Sequence, residues 1–333
     1  MIFLLIIGLY ALTVDEARKD ETKKFIMLNY LGSRLFTALL VVIGVMTIVF
    51  MLIHVVPGDP VEVMLGESAR AADREALRET LGLNLPLSVQ WINYVNGLLH
   101  LDLGTSLHTK RPVVNILSER IPATSLLAGT SILIALIIAL PLGVLAAVRK
   151  GSIWDKVAMT FSMLGVAIPN FWMGPLLILI FSLWLGWFPV SGKDQFLSLV
   201  LPAVTLGTAL AAILSRMIRA SLLEVLDEDY IRAANARGLM PSSVIWKHAL
   251  KNAALPVVTI LGMQLGALLA GAVITETVFS WPGIGQLTIE AIQKRDYPVV
   301  QSCVLLISLC YVFVNLLTDL AYAYLDPRVS LNE

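Results

Sequence analysis

EDYIRAANARGLMPSSVIWKHALKNAALP, residues 228–256, is the longest polar interruption in the C-terminal half of a chain otherwise dominated by apolar runs. It carries Arg232, Arg237, Lys247 and Lys251, the pair Ala233-Ala234, and Gly238 followed by Pro241. Long hydrophobic segments flank it on both sides. Basic residues beside membrane spans stay in the cytoplasm, so a basic, helix-prone loop there offers a cytoplasmic partner something to hold. Gly238 suits a left-handed helix end, and Pro241 suits the first turn of a following helix. The basic residues also have a plainer reading, as topology determinants on a solvated loop. The two readings are compatible.

The composition supports the membrane setting. Of 333 residues 57% are hydrophobic and only 14% charged, with a mean hydropathy of +0.81. Soluble domains average roughly 25% charged residues, so the deficit points to a polytopic membrane protein. The formal net charge of +0 gives no basic surface for nucleic acid. Cys303 and Cys310 lie in one apolar run and read as small buried side chains, not as a disulfide.

Working outward from the loop gives a topology. Toward the C-terminus, a span over about 255–277 leads to an outer loop with Trp281-Pro282-Gly283, where the Trp suits the membrane interface. A last span over about 299–320 returns to Asp326-Pro327-Arg328. Toward the N-terminus lies a span at about 199–217, then a longer apolar region, 157–190, interrupted by Pro169-Asn170 and Gly174-Pro175. Arg149-Lys150 and the basic cluster from Arg216 to Lys251 both belong inside, so an even number of crossings separates them. Residues 157–190 therefore count as one broken span. A span at about 124–148 precedes it, and a first span at about 35–55 ends in the turn Pro57-Gly58-Asp59-Pro60. Between them, residues 61–118 read as a helical cap on the outer face, including an amphipathic stretch with Val89, Ile92, Val95 and Leu99 on one side. The total is six spans with the C-terminus cytoplasmic. The first 26 residues pair a short apolar stretch with a charged one, and Met27 is a plausible alternative start.

Several chemistries find no support. There is no G-x-x-x-x-G-K-[ST] phosphate loop, no H-E-x-x-H and no G-x-S-x-G. The four histidines are scattered, which speaks against a metal site. An enzyme embedded in the membrane has no residue constellation behind it. Ionisable and polar groups at membrane depth are functional suspects. Glu276 sits at the outer end of its span, and Asn315 and Asp319 share a face in the last one. They read as lining of a translocation path or as a clamp between subunits, with snorkelling or interhelical hydrogen bonding as the plainer alternatives. Gly262 and Gly266 form a GxxxG pair that lets helix backbones approach closely.

The loop also resembles the EAA loop of permease subunits in bacterial ABC importers, through Ala233-Ala234-x-x-x-Gly238. More specifically, the chain resembles the B-type permease of the peptide/nickel importer family, which includes dipeptide, oligopeptide and glutathione systems. The residues that carry this are Pro57-Gly58-Asp59-Pro60, Leu81-Gly82-Leu83 with Pro86, Asp102-Leu103-Gly104 with Ser106, and Glu228-Asp229-Tyr230-Ile231-Arg232. They continue with Phe279-Ser280-Trp281-Pro282-Gly283-Ile284-Gly285 and Arg295-Asp296-Tyr297-Pro298, in order, over about residues 28–328. The loop departs from the general importer pattern where Arg232 replaces its name-giving Glu and Lys251 its closing Pro.

The resemblance implies an all-α, type I ABC importer permease (MetI-like) fold with six transmembrane helices and a small extracytoplasmic cap. It divides the chain into residues 1–26 (extension), 27–56 (first span), 57–120 (cap), 121–325 (permease domain, with the loop at 224–256) and 326–333 (tail). It implies that Tyr230, Arg232, Ala233, Ala234, Arg237, Gly238 and Pro241 couple to an ATPase. The implied partners are a homologous C-type permease, two ATPases holding ATP and Mg, an extracytoplasmic binding protein and the bilayer of the bacterial inner membrane. No cofactor is expected on this chain. The alternative is a stand-alone secondary transporter or channel. The substrate within the family is not legible.

Overall fold

The computed structural model describes residues 32–51, 54, 61, 65, 70–80, 82–192 and 196–325. The N-terminal stretch, the turn Pro57-Gly58-Asp59-Pro60 and the tail from Asp326 lie outside them. The described chain is helical, with no strand among the described residues. Helix α1 is Gly32–Met51. Helices α2 (Ala71–Thr80) and α3 (Leu87–Leu99) follow, and α4 is the long Val113–Val148. The broken segment is α5 (Ile153–Ala167) and α6 (Asn170–Leu177), the latter running on as a π-helical stretch to Trp184. Then come α7 (Val200–Leu226), α8 (Asp229–Ala236), α9 (Leu250–Val278), α10 (Ile284–Gln293) and α11 (Tyr297–Leu325).

Four described helical segments are long and apolar enough to cross a bilayer, and the α5–α6 pair makes a fifth if counted as one span. Those two helices meet at 102°. The sharp turn has a local cause. A residue before proline is driven out of the helical region, and Ile168 sits at φ −89°, ψ 113° before Pro169. Pro169 in turn, at φ −65° and ψ 144°, leads into α6.

Helix α4 starts at Val113 instead of about 124, so residues 113–120, assigned to the cap, are continuous with a span. Pro122 and the charged pair Glu119-Arg120 are carried inside the helix. Pro is tolerated in membrane helices where neighbouring groups satisfy the freed backbone.

The central core is built by α4, α7 and α9. Leu210, Leu214, Ile218 and Leu222 of α7 pack with Ala135, Ala139 and Ala147 of α4 and Val257 and Leu268 of α9. Small residues let α4 and α7 touch backbone to backbone. A Cβ at Gly207 would lie 2.9 Å from the Ser131 carbonyl oxygen. One ion pair bolts α5 to α7. Arg219 Nε and Nη2 donate to Asp155 at 2.6 and 2.8 Å, and the Gly151 amide donates to the same carboxylate at 2.9 Å.

Candidate coupling site

Between α7 and α9 the chain folds the basic stretch into a hairpin of two helical pieces joined at Gly238, with its outer face exposed. Helix α8 is short, and its sequence is amphipathic with one apolar anchor. Ile231 is buried in the central core, with Ala234 half-buried against it. Ala233, on the adjoining face, is exposed, as are Asn235, Ala236 and Arg237.

The helix ends at a glycine because the backbone requires one. Gly238 has φ +75°, a conformation that costs an L-residue about 1–2 kcal/mol. No atom lies within 4 Å of where its Cβ would be, so conformation and not space selects the glycine. The left-handed turn closes with the Gly238 amide donating to the Asn235 carbonyl at 3.0 Å. Met240 is extended, and Pro241 opens the next helical turn, where a missing N–H costs nothing. That turn passes through a π-helical Val244–Ala249 into α9. Val244 and Ala249 are buried in the core and anchor this return.

Arg232 stays on the loop itself. Its guanidinium donates to Asp229 at 3.2 Å and to the Asp227 carbonyl at 2.9 Å, so it ties α8 to the end of α7. Asn252 donates to the Tyr230 hydroxyl at 2.7 Å and ties α8 to α9. What remains outward mixes apolar and basic side chains: Met240 is 74% exposed, Trp246 51% and Tyr230 40%, with Arg237 and Lys247 also exposed. Exposed apolar side chains clustered with charges mark interaction surfaces.

The opposite end of the bundle is closed on itself. Glu276, near the end of α9, is fully buried. It is neither snorkelling nor facing an open path. Thr124 donates to it at 2.7 Å and the Gln286 amide at 3.1 Å, while the Ile284 amide donates to the Thr124 hydroxyl at 2.8 Å. The carboxyl thus sits at the N-terminus of α10, where free amides and the helix dipole favour it. Gly283 is required by that carboxyl, since a Cβ there would overlap it. Trp281 was expected at the membrane interface. It is instead buried, with its indole N–H donating to the Ala123 carbonyl at 2.9 Å. Pro282 lies between these two pinned residues, in the turn leading to α10. A second pin joins Ser106 to Asp296 at 2.5 Å and the Leu107 amide to the same carboxylate at 3.1 Å.

The remaining candidates separate. Gly262 and Gly266 face α11, where a Cβ would overlap Thr318 and Tyr311 respectively, so this pair serves helix packing within the chain. Asn315 lines a cavity of about 260 Å³ between α1 and α11 with Arg34 and Tyr311. Asp319 lies on α11, and its side chain is outside the described set. Among the described residues no group of three His, Cys, Asp or Glu converges as a metal site. Sequence reasoning missed Thr124, Asp155 and Arg219. No local pattern marks them, because their partners lie 152 and 64 residues away.

An apolar helical bundle with a proline-broken segment and an exposed basic loop is the architecture of a multi-pass membrane protein. The sequence profile of the "Binding-protein-dependent transport system inner membrane component" matches residues 139–331, and its N-terminal companion profile matches 27–128. The chain belongs to that family and is the permease subunit of an ABC importer. It is 43% identical over 303 residues to the glutathione transport system permease protein GsiC of Pectobacterium atrosepticum, covering 91% of this chain and 99% of the relative. It is 43% identical to the di/tripeptide transport system permease protein DppB of Pseudomonas aeruginosa and 41% to the dipeptide permease DppB of Escherichia coli K12, each with 91% and 99% covered. The permease fold is shared with the inward-facing MetNI methionine ABC transporter, at a TM-score of 0.55 and 21% identity over 63% of this chain and 96% of that one. Homologues are transport subunits, and ATPase activity in this family resides in separate subunits.

Proposed function

We propose that this chain forms half of the translocation path of an importer for small peptides or glutathione-sized solutes, and that α8 with Gly238–Pro241 docks into the ATPase. The hairpin carries the reading. It is anchored by Ile231 and Val244 beneath and presents Tyr230, Ala233, Met240 and Trp246 outward. A permease without a phosphate loop needs a mechanical handle, and a hairpin fixed to both α7 and α9 can turn ATPase closure into helix movement. Tyr230, Arg232, Ala233, Ala234, Arg237, Gly238 and Pro241 then form or shape that handle.

The topology that fits is six crossings: α1, α4, the α5–α6 pair, α7, α9 and α11. The hairpin and the C-terminus face the cytoplasm of a bacterial cell, and α2 and α3 form an outer cap. A homologous C-type permease, two ATPases carrying ATP and Mg, and an extracytoplasmic binding protein complete the machine. The close likeness to dipeptide and glutathione permeases supports the substrate class.

Reconstitution tests the whole reading. The isolated chain in proteoliposomes is expected to move no peptide and hydrolyse no ATP, while the complete complex takes up di- and tripeptides with ATP. Ion-gradient-driven uptake by the isolated chain contradicts the reading in favour of a secondary transporter.

A further inference from the structure

Two carboxamides in the middle of the bundle have no hydrogen-bond partner among the described residues. Gln264 is the central residue of α9, since (250 + 278)/2 = 264. Asn170 is the first residue after the break in the α5–α6 pair, whose ends at 153 and 184 put its midpoint at 168.5. Both therefore lie near the middle of their apolar segments, and in lipid an unsatisfied polar group is expensive unless it faces a polar or water-filled space. They line one cavity of about 80 Å³, between Leu206, Leu210 and Ile213 of α7. Neither side chain has a hydrogen-bond partner among the described residues. Asn170 and Gln264 are half-buried, whereas the fully buried serines of the neighbouring helices are bonded: Ser162 and Ser215 to each other at 2.7 Å, and Ser131 to a carbonyl of its own helix at 2.7 Å.

The two side chains also share a chemistry. A carboxamide offers both a donor and an acceptor, as a peptide bond does. It can exchange hydrogen bonds with a peptide backbone whatever side chains that peptide carries. The rest of the cavity is apolar and offers no competing polar partner. The cavity is too small for a peptide, so substrate would pass along the open side of it instead of lodging inside.

We infer that Asn170 and Gln264 are polar contacts of the translocation path, exchanging hydrogen bonds with the backbone of the passing peptide. The inference rests on the peptide-importer reading above. It places the contact on the broken segment and on α9, the helix continuous with the coupling hairpin. Movement of that hairpin would therefore shift Gln264 relative to Asn170.

The test uses the complete transporter complex in proteoliposomes. Gln264→Cys and, separately, Asn170→Cys are made with Cys303→Ala and Cys310→Ala. Each introduced thiol is expected to react with a charged methanethiosulfonate that cannot enter lipid. Reaction with N-ethylmaleimide alone overturns the inference even where uptake is normal. Gln264→Leu and Asn170→Leu, assembled and hydrolysing ATP normally, are expected to lower peptide uptake per ATP by roughly five- to tenfold, the scale of a lost hydrogen bond. The loss should be the same for small and aromatic dipeptides. Wild-type uptake in both Leu variants, or a loss confined to one kind of peptide, overturns the backbone contact. If the wild-type complex moves no peptide while both thiols react from water, the path assignment stands and the peptide reading falls.

Discussion

The two ends of this permease are built in opposite ways. At the end that holds Glu276, buried polar groups from distant parts of the chain close on one another: Thr124 and the Gln286 amide around the Glu276 carboxyl, Ser106 and the Leu107 amide around that of Asp296. At the hairpin end, Arg219 and Asp155 still join α7 to α5, but the hairpin's own polar bonds are few and local, and apolar side chains such as Met240 and Trp246 stand outside. The first end satisfies its two carboxyls within the chain, while Thr275 Oγ1, Gln286 Oε1 and the Tyr297 hydroxyl are buried there without a hydrogen-bond partner among the described residues. The second has a finished underside and an unfinished outer face, which is how a surface made for a partner is built. A substitution at the Glu276 end should therefore cost stability, and one on the hairpin's outer face should cost coupling without stability.

The largest stability effect is expected at Glu276→Ala. It strips the acceptor from Thr124 and from the Gln286 amide inside a dry site, and about 3 kcal/mol or more should be lost. Thermal unfolding of the purified complex measures it. An unchanged transition would mean the Glu276 end is not the locked half. Asp155→Asn comes next, because Arg219 loses its charged partner. Since Arg219 is partly exposed, about 2 kcal/mol is expected, below the range for fully buried pairs. Gly238→Ala strains the left-handed turn by about 1 kcal/mol, and Gly238→Pro cannot reach φ +75° at all. Both should lower transport per assembled complex, the proline variant to background, with the transmembrane core still folded. Peptide uptake normalised to ATPase content measures this, and normal coupling in the proline variant would mean the turn is not part of the handle. Met240→Ser should change stability by no more than about 0.5 kcal/mol, yet weaken retention of the ATPase on purification. Full retention would place the docking face elsewhere.

Local features were the ones legible from sequence. Gly238 and Pro241 declare a left-handed turn and a helix start, and both occur where the spacing puts them. Pro169 declares the break, and the residue before it shows why. The GxxxG pair announces a close helix contact, though only the structure names Thr318 and Tyr311 as what it meets. What was not legible depends on distant partners. Trp281 and Glu276 look like interface and path residues until Ala123 and Thr124 arrive from more than a hundred and fifty positions away. The early start of α4 was not legible either, because whether a helix carries Pro122 depends on its surroundings. The roles of Ala233 and Ala234 were also merged in the sequence. The structure separates them: Ala233 is exposed, while Ala234 packs on the core.

That separation provides the most direct measurement. Ala233→Glu introduces a charge on the outer face of α8 and touches nothing beneath it. The account predicts a permease that assembles with its partner permease at wild-type thermal stability but loses the ATPase on co-purification and takes up no peptide. An Ala233→Glu complex that keeps its ATPase and transports at the wild-type rate would contradict it.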